Sequence, residues 1–200
     1  TLGIAMLFQW RCYVNPLRNS WVYAWIILAL GVLAKGPVAV VLMLFTLLLF
    51  GIFQRDIGRL VKVLKPGYGL LITLFISLPW FLFEYLIEGK AFLQSFFGYH
   101  NFQRFTTVVN SHQENIYFYL LMLVIASIPF SPLLILGLFN GAIQIKNNFI
   151  KAKNKPSQSL LFFSIAWLLT VFLFFTISGT KLPSYWLPAT PAAAIIIGQT

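Results

Sequence analysis

Lys35, Lys90, Arg104 and Lys181, with Glu84, Glu88 and Glu114, are charged residues set in or beside long apolar stretches. An ionisable group close to hydrocarbon is expensive, which makes each a candidate for function. His100 and His112 add the side chain that titrates near neutrality and often ligates metals. The chemistry open to such a set is phosphate capture. An ammonium or a guanidinium neutralises phosphate oxygens, and the guanidinium fork pairs with two of them at once.

Lys35 stands in Leu33-Ala34-Lys35-Gly36-Pro37. One reading is a snorkelling lysine at a turn where Gly and Pro break a helix. The other is a phosphate cation at the mouth of the protein. The apolar runs on either side are short for spanning helices, which puts Lys35 partly below the surface and favours the phosphate. Lys181 lies in Lys181-Leu182-Pro183-Ser184-Tyr185, after Ser178-Gly179-Thr180. It is either a snorkelling lysine beside an interfacial Tyr, or a second phosphate cation with the Tyr185 hydroxyl at its side. If residues 96–105 are helical, His100 and Arg104 fall one turn apart on one face. Arg104 is then a phosphate contact, and His100 an interfacial anchor or a metal ligand whose partner the spacing does not reveal. His112 and Glu114 fit a solvated polar segment. Glu84 is either paired with Lys90 or turned to an inner cavity.

The elements that must position these groups follow from composition. The 200 residues are 60% hydrophobic, 18% aromatic and only 9% charged, with a mean hydropathy of +0.86. Soluble domains carry about 25% charged residues. A soluble enzyme, a disordered tail and a disulfide scaffold are excluded, the last also because Cys12 is the single cysteine. A spanning helix needs about 20 mostly apolar residues. Apolar runs occupy residues 1–10, 21–34, 38–53, 67–87, 117–141, 159–178 and 184–200, and Pro129 and Pro132 are expected to kink the fifth. The expected fold class is all-α: a polytopic transmembrane helix bundle with an outward-facing interfacial amphipathic helix. Residues 1–200 are expected to form part of one multi-span membrane domain. Both ends fall inside apolar runs, so the expectation is an internal piece of a longer protein, with N-terminal spans and a C-terminal part outside it.

The net charge of +10 has a topological explanation. Arg11 and Arg18 follow the first run. Residues 54–66, expected as a loop, hold Arg55, Arg59, Lys62 and Lys65, and residues 146–156 hold Lys146, Lys151, Lys153 and Lys155. If the spans alternate, these ten of the 14 cations lie on one side. That is the cytoplasmic side by the positive-inside rule, and nucleic acid is not needed to explain the charge. Lys35, Lys181 and residues 88–116 then face outward. The last segment is long for a connection. Phe92, Phe96 and Phe97 give it a greasy side, as in an amphipathic helix lying in the membrane interface.

Five motifs in series carry a family resemblance: Leu33-Ala34-Lys35-Gly36-Pro37, Pro79-Trp80, Phe96-Phe97 with Tyr99-His100-Asn101-Phe102-Gln103-Arg104-Phe105, Pro129-Phe130-Ser131-Pro132, and Ser178-Gly179-Thr180-Lys181-Leu182-Pro183-Ser184-Tyr185-Trp186-Leu187-Pro188. Together they resemble the bacterial lipid A aminoarabinose transferases and protein O-mannosyltransferase-like enzymes of glycosyltransferase family 39, in the C-type superfamily of polytopic glycosyltransferases. The resemblance implies transfer of a sugar from a polyprenyl-phosphate carrier to a lipid, protein or glycan acceptor on the outer face of a bacterial inner membrane. It implies that Lys35, Lys181 and Arg104 lie near the carrier phosphate, with Tyr185 hydrogen-bonded to it. His100 matches a histidine that can hold a divalent metal together with an acid from an N-terminal loop. The family's key Asp belongs to a first outer loop that this chain does not include. Asp56 does not replace it, because it falls among the basic cytoplasmic residues.

Three other classes compete, one of them a purely structural membrane subunit, against which the long polar-aromatic outer loop argues. A lipid or sugar transporter or flippase places polar groups near the midplane on broken helices, often as internal repeats; here they gather at one face and no repeat is seen. A lipid-linked glycan polymerase or ligase also combines many spans with a large outer loop.

Overall fold

A computed structural model describes residues 1–17, 19–103, 106, 115, 117–150 and 156–200. The described residues are all-α. The α-helices are α1 (Leu2–Val14), α2 (Ser20–Lys35), α3 (Val38–Gln54), α4 (Ile57–Leu64), α5 (Pro66–Glu88), the single turn α6 (Lys90–Phe92), α7 (Phe118–Ile125), α8 (Ser131–Ile150), α9 (Pro156–Ile177) and α10 (Thr190–Gly198). A π-helical stretch, Leu93–Gln103, follows α6, and a 3-10 helix, Pro183–Ala189, precedes α10.

Helix α9 is the centre. Its residues 161–168 are buried without a gap, as expected of a helix apolar all round. Helix α3 packs along it, and α10, the 3-10 helix and α8 cover other sides. Phe50 of α3 lies edge-on to Tyr13 of α1 at 5.0 Å and to Phe163 of α9 at 5.2 Å. Helix α2 joins α1 to α5. The α2–α5 contact is close because Gly69 meets the Trp25 ring, where a Cβ would fall inside the indole. Small residues let membrane helices approach in this way. Trp25 Nε1 donates to Leu64 O at 2.8 Å, and Thr73 Oγ1 donates to Trp25 O at 3.1 Å. Helices α5 and α9 are long and apolar enough to cross a membrane, whereas α2 and α3 are apolar but shorter.

Among the described residues, the helices run so that the basic-end cations and Lys35 with Lys181 lie apart in space. At one end Trp10 Nε1 donates to Ser159 Oγ (3.1 Å), Arg59 Nη2 to Tyr13 O (3.4 Å), Arg55 Nη1 to Phe149 O (2.8 Å) and Asn148 Nδ2 to Phe53 O (2.8 Å). These bonds tie together the end of α1, the start of α9, the end of α3, helix α4 and the end of α8. This is the basic end. Lys35 and the segment after α9 are gathered at the other.

Five expectations are corrected. Residues 54–66 are not a loop: they contain α4, whose N-terminus is capped by Asp56 Oδ1 accepting from Arg59 N at 3.2 Å. Residues 117–141 are not one kinked span. Helix α7 stops at Ile125, the chain turns through residues 126–130 with a cis peptide at Ile128–Pro129, and α8 restarts at Ser131. Proline lacks the N–H and clashes with the preceding turn, so it ends the helix instead of bending it. Helix α8 then runs to Ile150 and takes in Lys146, expected in a loop. The last run, residues 184–200, is divided into the 3-10 helix and α10. Residues 93–103 wind as a π-helix instead of an amphipathic α-helix. Phe92 and Phe96 stack at 5.5 Å, and Trp80 and Phe81 of α5 pack on them.

Gly69→Ala is expected to lower stability by about 1–3 kcal/mol, the range for overpacking a tight contact. Thermal melting of the detergent-solubilised protein checks this, and an unchanged melting temperature would count against the α2–α5 contact. The separation of the ends is checked by labelling single cysteines with an impermeant maleimide in a Cys12→Ala background. A cysteine at Ser184 is expected to react in intact cells, and one at Lys62 only after permeabilisation. Labelling of both from the same side would contradict it.

Candidate active site

Lys35 is the last residue of α2. The next residue, Gly36, has φ 86°, a conformation that favours glycine. Gly36 N–H donates to Val32 O at 2.7 Å, and Pro37 O accepts from Val40 N at 3.0 Å to start α3. The Lys-Gly-Pro sequence thus makes a short reversal between two antiparallel helices. Lys35 is exposed at its tip and not partly buried as expected. The physical reason is that α2 carries its last turn up to the reversal, so the ammonium stands at the rim and the apolar wall below it is left to Leu42 and Ala39.

Ser178 to Tyr185 form the facing wall. After Ile177 the chain leaves α9, and Ser178 Oγ donates to Thr180 O at 3.2 Å. Lys181 Nζ donates to Ser178 O at 3.3 Å. The phenol of Tyr119, on α7, is buried and clasps the next residue twice. It donates to Leu182 O at 3.0 Å and accepts from Leu182 N at 3.1 Å. Tyr185 lies in the 3-10 helix with its ring stacked on Phe175 at 4.6 Å.

Between these walls is a cavity of about 660 Å³. Thr1, Lys35, Ser178, Ser184 and Tyr185 contribute its polar groups, and residues such as Leu2, Leu42, Phe96, Phe174 and Phe175 its apolar ones. A second hollow, on the outside of α2 and α5, has only aliphatic and aromatic side chains such as Leu71 and Phe75 and offers nothing for chemistry. The first cavity can hold an amphipathic molecule with an anionic head. Lys35 at the rim would meet such a head, and the aromatic and aliphatic walls would take an apolar portion.

The structure brings together Lys35 and Tyr185, two of the residues expected to share a phosphate. Lys181 is half-buried on the same side but does not line the cavity; its link to it is the bond to Ser178. Arg104, His112 and Glu114 lie outside the described residues. The backbone of His100 belongs to the π-helix, and its side chain lies outside the described ones. Among the described residues no three His, Cys, Asp or Glu side chains gather in a way that could hold a metal ion. Glu84 is half-buried on α5 and does not line the cavity. Ser178, Ser184, Phe96 and the clasping Tyr119 were not legible as site residues. Serines occur throughout the chain, and Tyr119 reads as one aromatic in an apolar run.

No family model matches the chain. A protein of Aquifex aeolicus is 33% identical over 174 residues, covering 87% of this chain and 36% of that protein. The undecaprenyl phosphate-alpha-4-amino-4-deoxy-L-arabinose arabinosyl transferase 2 of Pseudomonas fluorescens is 30% identical over 90% of this chain and 28% of the enzyme. The corresponding transferase of Pseudomonas aeruginosa is 28% identical over 99% of this chain and 34% of the enzyme. The chain is a homologue of the aminoarabinose transferases. It spans about a third of the length of these curated relatives. The fold agrees: a crystal structure of ArnT from Cupriavidus metallidurans bound to undecaprenyl phosphate superposes with a TM-score of 0.75, at 24% identity, over 99% of this chain and 35% of that one. The homology covers α1 to α10, so the cavity lies wholly within the shared region.

In this transferase homologue the Tyr119 clasp has a measurable consequence. A net hydrogen bond contributes about 1 kcal/mol. Tyr119→Phe removes the hydroxyl and both of its bonds to Leu182, about 2 kcal/mol, and is therefore expected to speed amide exchange in a peptide covering residues 178–185 by roughly 30-fold. Unchanged exchange would show that the loop is held by other contacts.

Proposed function

We propose that the protein carrying this chain is a glycosyltransferase that takes a sugar from a polyprenyl-phosphate carrier, and that this chain supplies the carrier-phosphate end of the donor site. The observation that supports this most is the cavity in which Lys35 and Tyr185, from distant parts of the sequence, face each other above aromatic and aliphatic walls. A lipid-linked phosphate has these two requirements, a cation for the head and apolar surface for the tail. The relatives' names specify 4-amino-4-deoxy-L-arabinose carried on undecaprenyl phosphate, which makes a pentose the first sugar to try.

The reaction is a displacement at the anomeric carbon. The bond from that carbon to the phosphate oxygen breaks, and polyprenyl phosphate departs with the electron pair. The acceptor oxygen forms the new bond and loses its proton to a base supplied from outside this chain. Charge grows on the leaving phosphate as the bond breaks, and fixed cations and donors aimed at it lower the barrier. Lys35 at the rim and the Tyr185 hydroxyl are placed for this. Lys181, held through Ser178 O and the Tyr119 clasp, adds positive potential on the same side. Arg104 is proposed as a third phosphate contact. His100 is proposed as a ligand for a divalent metal, completed by an acid from elsewhere in the protein. The acceptor is a lipid, a protein or a glycan on the outer face of a bacterial inner membrane.

Loss of one preorganised donor to a developing oxyanion typically lowers turnover by about 10²–10³. Lys35→Ala in the complete protein is expected to fall in this range, and Arg104→Ala likewise, in an in-vitro transfer assay with a polyprenyl-phosphate sugar, while membrane insertion is unchanged. Wild-type turnover in both variants would refute the phosphate clamp.

A further inference from the structure

Helix α4 lies at the basic end, away from the cavity, and the transfer reaction gives it no task. It carries two aliphatic pairs at i, i+4 spacing. Leu60 and Leu64 are buried, where α4 packs on α1 and α3. Ile57 and Val61 are 44% and 47% exposed. On a helical projection the four residues form one continuous stripe of about 100°. Val63, next to Leu60 on the projection, is half-buried against the core, so the bundle covers Val63, Leu60 and Leu64 and leaves Ile57 and Val61 open. Lys65 and Lys62 come next around the helix, and Arg59 beyond them. All three are exposed.

Two of these cations are also fixed in place. The Arg59 guanidinium sits 5.1 Å from the centre of the Tyr13 ring, and Lys65 Nζ sits 5.1 Å from that of Trp21. Arg55, beside them, is held by its bond to Phe149 O. A guanidinium has five N–H donors, so one bond to a carbonyl leaves others for a ligand. Asp56 is the single acid of residues 54–66 and caps the helix. The positive-inside rule accounts for cations near this end. It gives no reason for an uncovered aliphatic pair beside them, or for cations held on aromatic rings.

An open aliphatic edge bordered by cations on the side away from the bundle is the pattern of a helix lying in a membrane interface. We propose that α4 binds anionic phospholipid of the leaflet at the basic end, with Ile57 and Val61 entering the acyl layer and Lys62 and Lys65 holding the headgroup phosphate. The proposal requires only that α4 lies at a membrane face and is independent of the transfer reaction.

The test uses the complete protein in neutral detergent, with melting followed as phosphatidylglycerol, phosphatidylcholine or inorganic phosphate is added. Phosphatidylglycerol is expected to raise the melting temperature at a concentration about tenfold below that needed for phosphatidylcholine, and inorganic phosphate to have no effect. A cation near an anionic surface contributes about 1 kcal/mol. The double variant Lys62→Ala with Lys65→Ala is therefore expected to raise the half-saturating phosphatidylglycerol concentration roughly 10- to 30-fold. Ile57→Ser with Val61→Ser is expected to weaken the response with every charge retained. Each variant is scored by the difference between its own two lipid curves, so a change in basal stability does not obscure the result. Lys62→Ala alone, at an exposed position, serves as the mildest variant. Equal responses to both lipids, a response to inorganic phosphate equal to that to phosphatidylglycerol, or wild-type half-saturation in the lysine double variant would each overturn the proposal. Absence of any lipid preference would assign the open edge of α4 to a protein partner instead.

Discussion

The burial of α9 organises this molecule. Helix α9 is apolar on every side, and α3, α8, α10 and the 3-10 helix cover most of it, leaving Leu173 and Ile177 exposed. Phe50 shows how tightly the layers are coupled, since its ring touches α1 and α9 at once. Because α9 is central, the segment that leaves its end at Ile177 emerges in the middle of one face. Lys181 and Tyr185 are therefore delivered opposite the reversal between α2 and α3, where Lys35 stands. The cavity follows from the enclosure of a single helix.

The two ends of the bundle use the same side-chain chemistry in different ways. At the basic end, cations are held by carbonyl oxygens and aromatic faces, and the residual charge faces outward. At the other end Lys35 meets a cavity with polar groups near its mouth and apolar walls. An ammonium at such a boundary attracts an anion more strongly than one in open water, because the low-polarity wall screens the charge less. This contrast suits a ligand with a charged head and a long hydrocarbon tail, and it places any chemistry on the head at the interface, not at the midplane.

The all-α bundle, the limits of α2 and α3 and the separation of the charges were legible in the sequence, each from one-dimensional signals. Apolar runs are long because hydrocarbon cannot hydrogen-bond a backbone, which leaves the helix as the economical solution. Lys35-Gly36-Pro37 was legible because glycine and proline act locally. Other features were not. Helix α4 is short, and its amphipathic pattern is hidden among four cations that also mark a loop. The stop at Ile125 and the restart at Ser131 depend on whether prolines bend a helix or end it, which neighbouring helices decide. The winding of residues 93–103 depends on Trp80 and Phe81, which are far enough away in sequence to leave no periodic signal.

The sequence by itself determined the solvent of this protein, the helical class and which charges share an end. These follow from composition and from the order of charges along the chain. Only the tertiary structure decided which of the outward residues meet. Lys35 and Tyr185 share a cavity because α3 packs on α9, whereas Lys181 reaches that cavity only through Ser178 and a loop clasped by Tyr119. The physical reason is that a site is made by packing across the bundle, between side chains about 150 residues apart, and no local pattern in the chain encodes that distance.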